Sequence, residues 1–368
     1  MARGADIDAV AWRHDAFLRM QPVDRPLLGF WLGDYYFTSQ FPTAMRNWPA
    51  GQQVRSETLH FAQFAEDYDR LHHAYEQLDD DFFMVASAFS VVPWMEAIMG
   101  CDIFAEATSF WAKPWLEDYG QLAPLDELEF SATPWFRKLV ELTAALVTFA
   151  GGRFPISPPL MRGPADMLAA MRGANQLVLD FIDQPADVAG ALALCARIRM
   201  QVMQTLNALI PPFHGGYAVG GYPSRLWTSG KRCLYNQEDA AAVLSPELFR
   251  SMLLPLEKQI AGQADVVMMH LHSGCIYPVD ILLADPSYQV IQINYDHAGT
   301  GPRLDALIPT LQKAIAQKPL LVWGEFTSDE IATLIRSLGG RGLSLQPIVP
   351  DSEAAGRLRQ EIDRLAGK

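Results

Sequence analysis

The chain has few basic residues for its length. Its 368 residues include 29 Lys and Arg against 42 Asp and Glu, which gives a formal net charge of −13 at pH 7. Binding to a phosphate backbone depends on clustered Lys and Arg, and so does binding to an anionic membrane surface. The composition therefore argues against nucleic acid and membranes as partners.

Cysteine is also scarce. The four cysteines, Cys101, Cys195, Cys233 and Cys275, lie far apart and form no CxxC pair, which argues against a disulfide framework. No uninterrupted apolar run reaches the roughly 18 residues that a membrane span needs. Residues 1–16 also lack the apolar core of a signal peptide. These absences predict a protein of the reducing cytoplasm.

Repeats, low-complexity tracts and flexible linkers are absent as well. Half of the residues are hydrophobic and 19% are charged, which is typical of a folded globular chain. Because nothing in the composition divides the chain, we predict an N-terminal helical extension over residues 1–25 and a single domain over residues 26–368.

Short apolar segments alternate with longer amphipathic segments, most regularly in the last third of the chain. Helical patterns follow the last four apolar segments, and such crossovers join parallel strands. Roughly eight strands over this length predict an α/β fold, a (β/α)8 TIM barrel, with an open doubly wound sheet as the alternative. The predicted strands cover residues 27–32, 82–87, 154–157, 217–220, 266–270, 290–294, 320–323 and 343–345.

Two histidines end the most apolar of these strands. Residues 266–269 are Val-Val-Met-Met, and His270, Leu271 and His272 follow before a turn at Gly274. Because successive side chains of a strand point to opposite faces, His270 and His272 share one face. Barrels place their chemistry at the carboxyl ends of the strands, so this pair is a candidate catalytic site.

Polar residues also end the three strands that follow. The same alternation puts Asn294, Glu325 and Gln346 on the faces that correspond to the face of His272. If these faces point inward, the four side chains surround one pocket. The alternative is that some of them point outward to the helices or lie in solvated loops.

Aromatic residues follow the early predicted strands. Aromatic rings with a few polar groups suit a pocket for a small ligand that is mostly apolar or cationic. The alternative is ordinary core packing. The residues that we predict to bind substrate are Trp31, Asp34, Tyr35, Trp94, Glu96, Tyr222, Asn294 and Gln346.

Four segments of the chain recur together, in the same order, in a known family. They cover residues 93–101 (PWMEAIMGC), 163–173 (GPADMLAAMRG), 244–255 (LSPELFRSMLLP) and 270–274 (HLHSG). Over residues 26–368 the chain thereby resembles the uroporphyrinogen decarboxylase-like superfamily, which includes corrinoid-dependent methyltransferases. The resemblance implies a TIM barrel that is usually a homodimer.

Two activities of that family are separated by their charged residues and metal ligands. The decarboxylases carry an Arg-rich signature that holds substrate carboxylates, whereas residues 29–37 of this chain contain no Arg or Lys. Binding several anions without counter-charges is costly. The thiol methyltransferases hold zinc with the His and Cys of an H-x-C motif and a later Cys. Here His270 keeps the first position, His272 replaces the Cys, and Gln346 lies near the late position.

The resemblance therefore implies a corrinoid-linked methyltransferase. Such an enzyme moves a methyl group between a small substrate (a quaternary amine, methyl ether or thiol) and cobalamin, which is free or carried by a partner corrinoid protein. We predict His270, His272 and Glu325 as catalytic residues. Zinc could be held by the two histidines with Cys275 or Glu325, and a mechanism without metal stays open. The alternatives are a decarboxylase or lyase of a small carboxylic acid, and a non-catalytic ligand-binding barrel.

Overall fold

The computed structural model describes residues 7–123, 125, 130–220, 224–296 and 300–365. Its strands are labelled in chain order. They are β1 Leu27–Leu28, β2 Trp31–Leu32, β3 Gln53–Val54, β4 Asp102–Ala105, β5 Phe110–Lys113, β6 Gly216–Val219, β7 Leu226–Ser229, β8 Cys233–Asn236, β9 Val266–His272, β10 Val290–Tyr295, β11 Leu320–Gly324 and β12 Leu343–Val349.

The central sheet is parallel throughout. Its hydrogen-bonded order is β1, β12, β11, β10, β9, β8, and β2 pairs with the end of β12. Strands β9 to β12 are almost entirely buried, as expected for strands that are covered on both faces. A mostly parallel α/β sheet was predicted, and it is confirmed.

Helices cover the sheet and connect its strands. Val279–Ala284, Leu304–Ile315 and Ser328–Leu338 are the crossovers that link β9 to β12. Within the described residues, the further α-helices are Ile7–Leu18, Pro42–Met45, Ala65–Glu76, Trp94–Ile98, Pro134–Ala150, Pro164–Arg172, Ala174–Asp183, Pro185–Leu209, Pro246–Leu248, Leu254–Ala261 and Ser352–Leu365, and a π-helical turn spans Phe249–Leu253.

The early part of the chain builds a much less regular wall. The predicted strands at 82–87 and 154–157 meet at a single parallel bridge between Ala86 and Ile156. Pro155 and Pro158 flank that bridge, and proline has no N–H to extend a ladder. Among the described residues the sheet is consistent with a TIM-like barrel, but its hydrogen bonds do not close into a ring.

The strand predicted at 217–220 was assigned to the wrong kind of sheet. It belongs to β6, which forms an antiparallel hairpin with β7, and β3, β4 and β5 form a second small antiparallel sheet. On the side away from β10, the parallel neighbour of β9 is β8. The sequence did not predict β8. The sequence of β8, Cys-Leu-Tyr-Asn, is too short and too mixed to show a hydrophobic period.

Two ion pairs are buried near the amino end of the sheet. Arg25 donates to Asp81 through both terminal nitrogens, with Nη1–Oδ2 at 2.5 Å and Nη2–Oδ1 at 2.7 Å. Arg225, at the start of β7, donates from Nη2 to Asp80 Oδ2 at 3.0 Å. All four side chains are less than a tenth exposed. We call these residues the arginine-paired cluster.

None of the helices in the described part of the chain is both long and apolar enough to cross a membrane.

Candidate metal centre

The two histidines predicted from the sequence lie side by side at the carboxyl end of β9. In the sheet register His270 is opposite Gln292 and His272 is opposite Asn294 of β10. The imidazole centroids are 4.8 Å apart and the rings are nearly perpendicular, at 83°. His270 is buried, whereas about a third of the His272 side chain is exposed. The pair therefore spans the boundary between the core and an open cavity.

His270 is held as a neutral imidazole with one free nitrogen. Its Nδ1 is hydrogen-bonded to Gln292 Oε1, and because an amide oxygen only accepts, Nδ1 carries the proton. Burial, and then the neighbouring charge of His272, lower the pKa of His270 to about 3. The lone pair of Nε2 is consequently available to a cation.

His272 is oriented by a carboxylate instead of an amide. Its Nδ1 donates to Asp296 Oδ1, while Asp296 Oδ2 accepts from Ser273 Oγ at 2.8 Å and from the Gly274 amide at 3.0 Å. Burial lowers the pKa of His272, but the hydrogen bond to Asp296 and the charge of Asp239 outweigh it and raise the pKa overall. The bond to Asp296 points the Nε2 atom of His272 into the cavity.

Asp239 completes the group, although the sequence did not predict it. It follows β8 and begins the 3₁₀ helix Asp239–Val243. Its Oδ1 lies 3.7 Å from Nε2 of His270 and 3.7 Å from Nε2 of His272. One ligand atom from each residue can be chosen so that all three lie within 4.8 Å of one another. We call Asp239, His270 and His272 the imidazole cluster.

The donor set of the imidazole cluster fits a divalent metal ion. Catalytic zinc sites use three protein ligands drawn from imidazole, carboxylate and thiolate, and keep one position open. Their histidines donate the other ring N–H to a carboxylate or a carbonyl oxygen, as His272 does to Asp296 and His270 to Gln292. The unprotonated Nε2 of His270 and the carboxylate oxygen of Asp239 point their lone pairs at each other. A cation between the two atoms removes that repulsion.

The cavity around the cluster has a volume of about 480 Å³ and an acidic lining. Asp239 and Asp296 contribute carboxylates, whereas burial holds the pKa of Glu238 well above its usual value, and the described lining residues include no Lys or Arg. The surrounding protein raises the pKa of Asp239 by displacing water, and the charge of Asp296 adds to that rise, while His272 and Arg162 oppose it. The full lining is Tyr35, Tyr36, Glu238, Asp239, Ala242, His270, Leu271, His272, Gly274, Cys275, Asp296 and Thr300.

Two of the predicted substrate-binding residues lie at the cluster. Tyr35 lines the cavity, and its hydroxyl accepts a hydrogen bond from Asn294 Nδ2 at 2.8 Å. The same Nδ2 lies 3.1 Å from Asp296 Oδ1, so Asn294 connects the aromatic loop after β2 to the residue that orients His272.

Cys275, predicted as a metal ligand, lines the same cavity. The compact group of ligand atoms found among the described residues contains Asp239 in its place. The carboxylate reaches both imidazoles from a neighbouring strand end, whereas Cys275 follows the turn after β9.

Glu325 and Gln346, predicted to surround the same pocket as His272, are not among the described lining residues of this cavity. Glu325 is exposed just beyond the end of β11. Gln346 is buried, and its amide is used by the backbone of Arg225: Oε1 accepts from the amide N–H at 2.9 Å, and Nε2 donates to the carbonyl at 2.7 Å. Gln346 therefore fixes the β6–β7 hairpin against the sheet.

The other predicted aromatic and acidic residues also serve the core or the loops. Trp31 is buried, and its Nε1 donates to the carbonyl of Asp34, whose exposed carboxylate accepts from a backbone amide. Trp94 is fully buried, and its Nε1 donates a hydrogen bond to the backbone carbonyl of Phe89. Glu96 is buried 3.3 Å from Arg162, and burial raises its pKa. Tyr222 lies outside the described residues.

Comparisons with known proteins identify the fold. No protein-family model matches the chain, and no curated protein matches it. Among solved structures, a methyltransferase from Methanosarcina mazei superposes with a TM-score of 0.65 at 14% identity, over 97% of this chain and 98% of that one. The YdhT protein from Bacillus subtilis is more distant, with a TM-score of 0.40 at 10% identity over 97% and 89%. At these identities the first similarity shows a shared fold.

Proposed function

We propose that this protein is a metal-dependent methyltransferase that moves a methyl group between the heteroatom of a small compound and cobalamin. The imidazole cluster carries the proposal, because it offers three converging ligand atoms in an open cavity. The whole-chain fold similarity to a methyltransferase supports the same class of reaction. Cobalamin, free or on a partner protein, would reach the substrate through the cavity mouth.

Each residue of the site has a defined task in this proposal. His270, His272 and Asp239 would hold the ion, which would supply Lewis acidity to the oxygen or sulfur that gains or loses the methyl group. Gln292 and Asp296 accept the Nδ1 protons of the two histidines and thereby turn their Nε2 atoms toward the ion. The protein's contribution to the displacement at carbon is then positioning and electrostatics.

Charge and ligand chemistry narrow the substrate class. A carboxylate or sulfonate that is remote from the ion needs a counter-charge of its own, and the described cavity lining offers no Lys or Arg. A quaternary nitrogen has no lone pair with which to bind a metal ion. Uncharged thiols and methyl ethers meet both conditions, so they are the proposed substrates. A decarboxylase of a small acid would have only the proposed ion as a counter-charge for its substrate, since the described lining contains no Lys or Arg.

The first test is metal content together with methyl transfer. We expect purified protein to retain about one equivalent of zinc or a similar ion by elemental analysis. It should also transfer methyl from methylcobalamin to uncharged thiols, or from methyl ethers to reduced cobalamin. Protein without metal affinity, or metal-loaded protein without transfer across both substrate panels, would contradict the proposal.

A further inference from the structure

The third ligand of the proposed metal centre sits on a loop that is fastened to another part of the molecule. Residues 237–240 follow β8 and run past the first turn of the helix Pro164–Arg172. Two backbone amides donate hydrogen bonds between the segments. The Ala240 amide donates to Asp166 Oδ1 at 2.6 Å, and the Ala165 amide donates to Glu238 Oε2 at 3.1 Å. Each segment thus satisfies a backbone donor of the other.

The start of the helix and the loop are in close contact at Gly163. A side chain added at Gly163, just before the helix, would bring its Cβ to 2.3 Å from the carbonyl oxygen of Gln237 and to 2.3 Å from the carboxyl carbon of Glu238. Such distances are far inside van der Waals contact. Glycine at 163 therefore lets the helix start lie directly against the loop that carries Asp239.

Gln237 transmits this contact to the carboxylate of Asp239. Its Nε2 donates to Asp239 Oδ2 at 2.9 Å and lies 3.5 Å from Asp166 Oδ2. With Oδ2 occupied in this way, the other oxygen of Asp239 is the one that faces the two imidazoles. Gln237 and Asp166 are both buried, so they are sheltered from water, whereas the Asp239 side chain is 41% exposed to the cavity side.

We propose that Gln237 and Asp166 are positioning residues of the metal centre. They hold the Asp239 carboxylate in the orientation that presents Oδ1 to the ion, a role that rests on the metal site proposed above. The segment at 163–173, one of the four that resemble the family, thereby gains a physical task at the site. Outer partners of this kind typically change metal affinity by about 10- to 100-fold when they are removed.

The test compares metal binding by two variants with two matched controls. Gln237→Met keeps the length of the side chain and removes its donor, and Asp166→Asn replaces one acceptor of the loop with a donor. Gln204→Met alters a glutamine pair on the surface. Asp67→Asn alters a buried carboxylate that accepts hydrogen bonds from the backbone amides of Thr43 and Ala44 at another helix start and that also pairs with Arg70 at 3.5 Å. It therefore makes the same substitution at a helix-start carboxylate away from the site.

Affinity is measured by chelator competition for Zn²⁺, and geometry by the visible spectrum of bound Co²⁺. We expect Gln237→Met and Asp166→Asn to bind about 10- to 100-fold more weakly and to shift the Co²⁺ bands. Both controls should match the parent protein in affinity and spectrum. Thermal unfolding of the metal-free proteins shows which variants keep the fold, and either site variant that keeps it is sufficient for the test.

The possible failures are distinguishable. If the parent protein binds metal and the folded site variants bind it equally well with an unchanged Co²⁺ spectrum, the positioning role is refuted and the metal centre stands. If the parent protein binds neither ion, the proposed metal centre is refuted and the positioning role falls with it.

Discussion

The arginine-paired cluster and the imidazole cluster contain similar carboxylates in opposite electrostatic settings. In the first, Asp80 and Asp81 each meet a guanidinium within 3.0 Å. In the second, Asp239 lies 3.7 Å from two histidine nitrogens, one of them on an imidazole that burial keeps neutral. In the first arrangement the carboxylates already have cationic partners, whereas in the proposed function a metal ion supplies the cation of the second. Charge balance therefore separates a structural ion pair from a binding site.

Breaking the arginine-paired cluster should have the largest effect, and it should fall on stability alone. Asp81→Asn removes the two short contacts of the buried Arg25 guanidinium and leaves it the longer contact of Nε with Asp363 Oδ1 at 3.5 Å. Loss of one member of a buried pair costs about 3–5 kcal/mol. Urea unfolding of the metal-free protein measures that loss. Metal affinity of the fraction that folds should equal that of the parent protein, and a loss of affinity without a loss of stability would reverse the roles assigned to the two clusters.

Removing a member of the imidazole cluster should weaken metal binding and leave the stability of the metal-free protein almost unchanged. His272→Ala deletes a direct ligand, so we expect metal affinity to fall by at least about 100-fold, the upper end of the range for outer partners. Methyl transfer should fall in parallel. The unfolding free energy of the metal-free protein should change little, because the His272 side chain is a third exposed. Tight metal binding by this variant would remove His272 from the ligand set.

Low pH should reduce the stability of the region around the arginine-paired cluster, through its neighbour His14. His14 lies against the arginine-paired cluster, with Nε2 hydrogen-bonded to the carbonyl of Asp81 and Nδ1 accepting from the Trp227 amide. Burial lowers its pKa to about 4 against the nearby charge of Asp81, which acts to raise it. Since the unfolded chain binds this proton near pH 6.5, stability falls as the pH decreases from 6.5 toward 4.

The expected contribution of His14 is about 2 kcal/mol between pH 7.5 and pH 5. His14→Gln keeps a donor and an acceptor in place but does not titrate. The unfolding free energy of this variant should decrease less over the same pH range, by about that amount, when both metal-free proteins are compared by denaturant titration. Parallel pH profiles would show that His14 does not have the lowered pKa.

The smallest effect is expected at Cys275, which lines the cavity outside the compact group of ligand atoms. Cys275→Ser should leave Zn²⁺ affinity within about threefold of the parent protein, well short of the change expected for a residue that orients a ligand. The chelator competition used for the other variants measures it. A loss near 100-fold would restore the thiol to the ligand set in place of Asp239.

Sequence periodicity located one side of the site and missed the other. His270, His272 and Asn294 could be placed on one face because β9 and β10 are long, buried and regular. Asp239 was not predicted as a site residue because the strand before it, β8, has only four residues and a mixed composition. Its contact with the histidines depends on which strand lies beside β9, and a periodic pattern does not contain that information.

Glu325 and Gln346 illustrate two further limits of the same reasoning. Strand alternation was extended to Glu325, but β11 ends at Gly324, and beyond the end of a strand the alternation no longer applies. Gln346 does lie within β12, but Arg225, at the start of β7, uses its amide. An inward-facing polar residue can be satisfied by a distant part of the chain, and the local sequence gives no sign of such a partner.

The position of β8 at the border of the sheet has a dynamic consequence. Within the described residues it is hydrogen-bonded to β9 on one side, whereas β10 has ladder partners on both sides. The two histidines therefore lie on a strand that is paired on both sides, while the carboxylate follows a border strand, which opens at lower cost than an inner one. Amide protons of β8 should exchange with solvent sooner than those of β10, and an ion that bridges the two strand ends would slow that exchange by fastening the border strand to its neighbour.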